Sequence, residues 1–367
     1  MDELALELQR RLLVLIARGT AQATTDAEFD RVARDVFAFQ YEHCGVYRAY
    51  CDRLQQTPQS VTYWKEIPAT PTSAFKDFAL TCFPVEEAVA EFHTSGTTRD
   101  KAGKHFFPAL ELYDAAIRSN FVAHLLPDGV RLPMMILTPS PEEAPHSSLS
   151  HMMGVVRQEF GAEDSAYYVE GGQLLVGKLV RDLCEAQWAH QPVFLLGTAF
   201  SFVHLFDHCE KEKITFEMAE GSRVMETGGF KGRSRELSKT ELYTLIERVL
   251  GIPQNRIINE YGMTELSTQF YDQTQRIGRQ TDAKAVPPWA RVLVIDPNTG
   301  REAALKERGL IRVFDLANLG NMMCIQTEDF GISQLNESGV VEFEVLGRAA
   351  DAEVRGCSLN AESFSVE

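Results

Sequence analysis

Several short segments of this chain combine hydroxyls, carboxylates, glycines and one thiol at spacings that suit chemistry on a phosphate-bearing molecule. Thr94, Ser95, Gly96, Thr97 and Thr98 are followed by R-D-K-A-G-K. Hydroxyls and backbone N–H groups gathered around a glycine cradle phosphate oxygens, and Lys101 or Lys104 adds positive charge. This is not a Walker loop: six residues rather than four separate Gly96 from Gly103-Lys104, and His105 stands in place of the Mg²⁺-binding Ser/Thr. A polar surface turn is the plain alternative. The run N-E-Y-G-M-T-E offers the aromatic face of Tyr261, the hydroxyl of Thr264 and, in Glu265, a hard oxygen ligand suited to Mg²⁺. Gly262 lets the backbone approach a ligand closely, although a strand-to-loop turn with an ordinary acid reads the same way. In T-E-D-F-G, Asp329 can accept hydrogen bonds from both hydroxyls of a ribose; an Asx-type turn is its alternative. The glycine-rich E-T-G-G-F-K-G-R, with Gly228 and Gly229, suits a wall along which a flat or extended ligand lies.

The thiol is Cys357, directly after Gly356 and two residues after Arg355. A thiolate is a strong nucleophile towards an activated carbonyl, and a neighbouring cation lowers the thiol pKa from about 8.5. A lone cysteine is otherwise a small packing residue. The seven cysteines are scattered and form no C-x-x-C pair, so neither a disulfide framework nor a zinc knuckle is indicated. His204, His208 and Cys209 can share a helix face, but no glutamate follows His204 and no distant third ligand is evident, which favours ordinary packing over metal.

The elements that would hold these residues follow from hydrophobic period. Phe29, Val32, Ala33, Val36 and Phe37 form one helical stripe, and Leu4, Leu8, Leu12 and Leu15 another, so the first ninety residues read as mainly helical. Residues 134–137 and 193–196 read as buried strands followed by turns. Leu242, Leu245, Ile246, Val249 and Leu250 make a further helix, ended by Gly251 and Pro253. This alternation implies an α/β domain with at least one largely parallel sheet. Beyond Pro287 and Pro288 the pattern turns strand-rich, at 290–295, 310–314 and 341–345, and implies a small, partly antiparallel subdomain.

Composition narrows the partners. A formal net charge of −16 argues against nucleic acid or an anionic membrane as the main partner, though not against a small basic pocket. The start, M-D-E-L-A-L-E-L-Q-R-R, lacks a secretory pattern. The longest apolar stretch, 193–206, is interrupted by Gly197, Thr198, Ser201 and His204 and is too short to span a bilayer. A cytoplasmic protein without membrane insertion is expected.

Together, in this order, the segments resemble the adenylate-forming superfamily that includes acyl-CoA ligases. V-L-G-R-A-A-D, with Gly347, Arg348 and Asp351, is spaced like that superfamily's hinge. More closely, I-N-E-Y-G-M-T-E-L-S-T-Q-F-Y-D, G-T-A-F-S-F, E-T-G-G-F-K-G-R-S, P-H-S-S-L-S-H-M-M and R-G-C-S-L resemble the acyl-protein synthetases of bacterial bioluminescence fatty-acid reductase complexes. The likeness is strong over residues 91–359 and weaker over 67–80.

The resemblance implies an α/β fold, the large N-terminal-type domain of that superfamily, with mixed sheets flanked by helices and a small β-rich subdomain. It would span 1–345, with a helical layer at 1–65 and the β-rich part at 287–345. Residues 346–367 would be a hinge-like segment and short tail, the usual C-terminal domain being absent. It also implies that residues 94–98, with Lys101 or Lys104, bind the β- and γ-phosphates of ATP. Tyr261 would lie against adenine, with Gly262 beside it; Thr264 would touch the α-phosphate and Glu265 would hold Mg²⁺. Asp329 and Arg348 would bind the ribose, Gly228 and Gly229 would border the adenine and acyl channel, and His151 would stand near its mouth. The activity implied is ATP-dependent activation of a fatty acid to acyl-AMP, then transfer to Cys357 and on to an acyl-CoA reductase-like partner, with the acid supplied by an acyltransferase. Arg99 replaces the usual glycine and Ala102 the usual lysine, and the adenylation lysine of the missing domain leaves its charge to Lys231, Arg233 or a partner. Two rivals remain: a ligase using coenzyme A as acceptor, and an inactive nucleotide- or acyl-binding subunit.

Overall fold

A computed structural model of the chain describes residues 3–94, 102–228 and 237–348. The chain opens with helices α1 (Glu3–Ala17), α2 (Asp26–His43) and α3 (Gly45–Arg53). Strand β1 (Thr70–Pro71), the one-turn helix α4 (Ala74–Asp77), strands β2 (Ala90–His93) and β3 (Lys104–Phe107) and helix α5 (Glu111–Leu125) follow. Next come β4 (Met134–Leu137), α6 (Ser148–Phe160), β5 (Ala166–Tyr167), β6 (Val169–Glu170), β7 (Gln173–Leu174) and α7 (Val176–Trp188). Then come β8 (Phe194–Thr198), α8 (Ala199–Glu212), β9 (Arg223–Thr227), α9 (Lys239–Leu250) and β10 (Ile257–Tyr261). The last elements are β11 (Phe270–Tyr271), the one-turn α10 (Thr274–Ile277), β12 (Lys284–Ala285), β13 (Ala290–Ile295), β14 (Gly309–Asp315), β15 (Cys324–Leu335) and β16 (Val341–Arg348). They divide into two compact units: residues 1–119, 263–269 and 283–367, and residues 120–262 and 270–282.

The second unit is built on a sheet in the order β11-β10-β9-β8-β4-β5, parallel throughout except where β11 joins. Its central strands are apolar runs because both faces are covered. Leu179 and Leu183 of α7, Phe202 and Phe206 of α8 and Ile246 and Val249 of α9 share one buried cluster with Leu195 and Val224 of the sheet. The α9 boundaries follow from local chemistry. Ser238 and Glu241 form a reciprocal capping box at its start, and Gly251 ends it at φ +68.

The first unit carries the antiparallel sheet β12-β16-β15-β14-β13, with β1 added parallel to β15. Phe29, Val32, Ala33, Val36 and Phe37 are all buried, the face expected from their spacing. Leu8, Leu12 and Leu15 are buried as well, but Leu4 is exposed. Trp64 packs edge-on against Phe29 and Phe314, which ties α2 to the sheet. The expectation of a mainly helical first ninety residues fails after Arg53. Pro58, Pro68, Pro71 and Pro84 fix φ and remove backbone donors along that stretch, leaving β1, the one-turn α4 and single 3-10 turns at Trp64–Glu66 and Val85–Glu87. Among the described residues, no helix is long and apolar enough to cross a membrane.

Candidate functional site

In the first unit, β2 and β3 pair antiparallel with His93 opposite Lys104, bringing together the two ends of the hydroxyl-rich loop. Thr94 closes it: its N–H donates to the Gly103 carbonyl at 2.9 Å, and its hydroxyl accepts the Gly103 N–H at 2.8 Å. A Cβ on Gly103 would stand only 3.2 Å from the Thr94 methyl, so glycine suits this pinch. Ser95, Gly96, Thr97, Thr98 and Lys101 lie outside the described residues. Lys104 pairs with Glu91 at 2.6 Å, a half-exposed contact that also holds the Glu91 carboxyl below its usual range. Such surface pairs are weak, so the ammonium is readily released to a stronger anion.

The same hairpin holds the segment carrying Thr264 and Glu265. Thr264 Oγ1 donates to the His93 carbonyl at 3.2 Å, and the Thr264 carbonyl lies 2.6 Å from His105 Nδ1. Glu265 is buried, and its backbone carbonyl accepts a hydrogen bond from Asn318 at 2.7 Å. Desolvation pushes its carboxyl up to about 7; nearby Arg348 opposes that rise, while Glu328 and Asp329 add to it. Asp329 and Arg348 stand directly opposite each other on β15 and β16, beside a register irregularity at Phe330 and Gly331. The Arg348 guanidinium bonds Glu328 at 2.6 Å. The unit thus gathers Thr94, Lys104, Thr264, Glu265, Asp329 and Arg348 from segments as far apart as 254 residues, the span from Thr94 to Arg348.

What fixes that segment was not foreseen from sequence. Asp315 is fully buried at the end of β14 and accepts from Ser267 N at 2.9 Å, Thr268 Oγ1 at 2.7 Å and Ala317 N at 3.1 Å. Burial raises its carboxyl to about 6. Asn318 bonds Ser267 and Glu265, and its own carbonyl accepts from Gln40 of α2 at 2.8 Å. The signal was a pair of polar residues inside the apolar run D-L-A-N-L. Asp315→Ala strands these donors and is expected to destabilise the protein by about 3 kcal/mol, measured by urea unfolding. A loss within error of zero would remove Asp315 as the anchor.

In the second unit, Gly228, Tyr261 and Gly262 stand at the carboxyl ends of the neighbouring parallel strands β9 and β10. Ligands of open α/β sheets bind outside such ends. Gly228 has φ +71, and no atom of the described residues lies within 4 Å of where its Cβ would be. The half-buried Tyr261 ring lies 6.3 Å from Phe270. Below it, Thr227 bonds Glu260, and Glu226 accepts from Asn259 at 2.7 Å and Tyr243 at 3.1 Å. His151 is half-buried on α6. Of the suggested histidine–cysteine face on α8, Cys209 is sealed in the core while His204 is exposed. Gly229, Lys231, Arg233 and Cys357 lie outside the described residues.

A separate cavity of ≈ 270 Å³ in the first unit is lined by Phe39, Phe83, Phe107 and Leu112 with Ser267 and Asn318. None of the sequence-predicted site residues is among its described lining, but Ser267 and Asn318 are.

Comparison with known proteins connects these parts. A family model described as "Acyl-protein synthetase, LuxE" matches residues 13–364. The chain belongs to the LuxE acyl-protein synthetase family. That match takes in both units and the tail with Cys357. Two long-chain-fatty-acid–luciferin-component ligases are relatives in the same vein. The one from Aliivibrio fischeri is 24% identical over 340 residues, covering 90% of this chain and 87% of the relative. The one from Vibrio harveyi is 21% identical over 358 residues, covering 94% and 91%. The LuxE fold is that of adenylate-forming ligases. An open 2-hydroxyisobutyryl-CoA ligase, in complex with 2-HIB-AMP and CoA, superposes with a TM-score of 0.68 at 16% identity, over 90% of this chain and 72% of the other. ATP-bound MatB from Rhodopseudomonas palustris gives 0.51 at 16% identity, over 74% of this chain and 50% of the other.

Proposed function

We propose that this ligase activates a fatty carboxylate with ATP as acyl-AMP and then captures the acyl group on its own Cys357. The observation that carries this reading is the family match across residues 13–364, which includes both the buried Glu265 segment and the thiol. The names of the two relatives, ligases of long-chain fatty acids, support the substrate class.

In the first half-reaction, a carboxylate oxygen attacks the α-phosphorus and pyrophosphate leaves. Catalysis there is alignment and neutralisation of charge. The residues at 94–98, with Lys101 or Lys104, bind the β- and γ-phosphates; Thr264 donates to the α-phosphate; Asp329 and Arg348 hold the ribose. Tyr261 lies against adenine, with Gly262 beside it, and Gly228 and Gly229 border the adenine and acyl channel. Glu265 fits a divalent cation: it is a desolvated carboxylate kept partly protonated for want of positive charge, and a cation would relieve that. Mg²⁺ bound there with the nucleotide would screen the phosphate charge. In the second half-reaction the Cys357 thiolate attacks the acyl carbonyl; the carbon–sulfur bond forms and the carbon–oxygen bond to phosphate breaks. AMP departs with the electron pair, and the thiol proton has already gone to solvent. The loaded tail then presents a thioester to an acyl-CoA reductase-like partner, with free acid supplied by an acyltransferase.

Incubation with ATP, Mg²⁺ and a series of fatty acids tests this by intact mass. The protein is expected to gain the mass of one fatty acid less one water, removable by hydroxylamine and mapped to Cys357 by digestion. Acyl products that form only after coenzyme A is added would replace the internal thiol with a diffusing acceptor. Silence in pyrophosphate exchange across the whole acid series would point to an inactive binding subunit.

A further inference from the structure

The β2–β3 hairpin touches the Thr264–Glu265 segment through two hydrogen bonds of different character. In one, the Thr264 hydroxyl donates to the His93 carbonyl at 3.2 Å. A hydroxyl has one hydrogen, so it is unable to donate to a phosphate oxygen and to His93 at once. In the other, His105 Nδ1 meets the Thr264 carbonyl at 2.6 Å. A carbonyl only accepts, so Nδ1 carries the hydrogen and Nε2 the lone pair. Nε2 is buried with no hydrogen-bond partner among the described residues. The ring is packed edge-on to Phe75 at 5.9 Å and tilted on Phe107 at 4.3 Å, a setting hydrocarbon would fill at less cost. What an imidazole adds here is that single donor.

We propose that His105 is the positioning residue of the adenylating site, holding the Thr264 backbone so that its hydroxyl can leave His93 for a phosphate without the segment moving. The bond to His93 is the exchangeable half of a clamp and the bond from His105 the permanent half. The hydroxyl swings about χ1 of Thr264 while Glu265, the next residue, keeps its place. His105 touches no substrate and acts through Thr264. The role assigned to Thr264 rests on the function proposed above; the pinning of its backbone does not.

Asparagine places an amide nitrogen where Nδ1 stands, glutamine where Nε2 stands, and phenylalanine fills the ring's space without a donor. His105→Asn is expected to keep acid-dependent pyrophosphate exchange within about threefold of wild type, whereas His105→Gln and His105→Phe lose about tenfold or more, the worth of one well-placed hydrogen bond. The loss should fall on kcat, with the KM for the acid unchanged, because Thr264 and Glu265 face phosphates and not the alkyl chain. Hydrogen exchange of a peptide covering 263–269 in the nucleotide-free protein gives an arm independent of activity. Uptake should quicken about tenfold in the glutamine and phenylalanine variants and stay near wild type with asparagine. Equal behaviour of asparagine and phenylalanine, in either arm, would overturn the proposal. If the wild type itself exchanges no pyrophosphate with any acid, the adenylating reading falls, and the deuterium arm still decides whether His105 pins the segment.

Discussion

Cys357→Ser is expected to leave acid-dependent pyrophosphate exchange within about twofold of wild type while slowing covalent acyl loading at least a hundredfold. Exchange reports only formation and reversal of acyl-AMP, and the residues proposed for that step lie between Thr94 and Arg348. Loading needs a nucleophile, and a serine hydroxyl without a paired base is a far weaker one than a thiolate. Cys357 lies nine positions beyond Arg348, so a fully extended tail reaches at most about 30 Å. A tether of that length gives an effective thiol concentration on the order of millimolar. Loading should rise with pH as the thiolate fraction grows, and level off where the thiol is fully ionised. Labelled fatty acid, quenched and resolved by mass, measures one activity, and radioactive pyrophosphate measures the other. A variant that lost both in parallel would show that the thiol belongs to the adenylating machinery, or that the tail is structural, and the division into two half-reactions would go.

Hydrophobic period revealed the scaffold because the period is what burial selects. The α2 stripe, the apolar runs at β4 and β8 and the α9 stripe ended by Gly251 all lie close to where the sequence pattern puts them. It misled between Arg53 and Ala90, where apolar residues such as Trp64 and Phe75 are buried from turns and a one-turn helix rather than from helical stripes. In the site, residue type was legible and juxtaposition was not. Asp329 and Arg348 stood out singly, but their opposition across β15 and β16 depends on a register set by an irregularity at Gly331. A Cβ there would sit 2.5 Å from the Glu344 carbonyl oxygen, so the close approach of the two strands needs glycine, which no spacing rule announces. His105 was visible only as a departure from a Walker loop, and Asp315 and Asn318 only as polar residues inside an apolar run. Their meaning lies in which backbone groups they reach, some 159 residues away between His105 and Thr264.

Glu265→Gln should separate function from stability in opposite directions. Removing the charge is expected to lower fatty-acid-dependent exchange by at least about a hundredfold, since the site loses its hard anionic oxygen for Mg²⁺. The nucleotide-free and metal-free protein should meanwhile become more stable at neutral and alkaline pH. Burial raises this carboxyl from 4.5 to about 7, so the fold favours the protonated form. Below pH 4.5 both folded and unfolded chains hold the proton, and glutamic acid costs little more than glutamine. Between pH 4.5 and about 7 the unfolded chain has lost the proton and the folded one still holds it, so stability falls as pH rises. Above that window the full penalty is present, roughly 3 kcal/mol as an upper figure. Asp315 titrates with the same sign but is common to both proteins, so it cancels in the difference. Arg348 offsets part of the penalty, and Glu328 and Asp329 deepen it, so the size of the gap also depends on those three. Thermal unfolding in chelator at pH 5 and pH 8 measures it: the glutamine variant should gain on wild type by several degrees between the two. A gap that stays constant with pH would mean Glu265 is solvated or paired in the resting protein. In that case a cation would find no unscreened carboxylate waiting for it, and metal binding at this segment would have to draw on Glu328 or Asp329 instead.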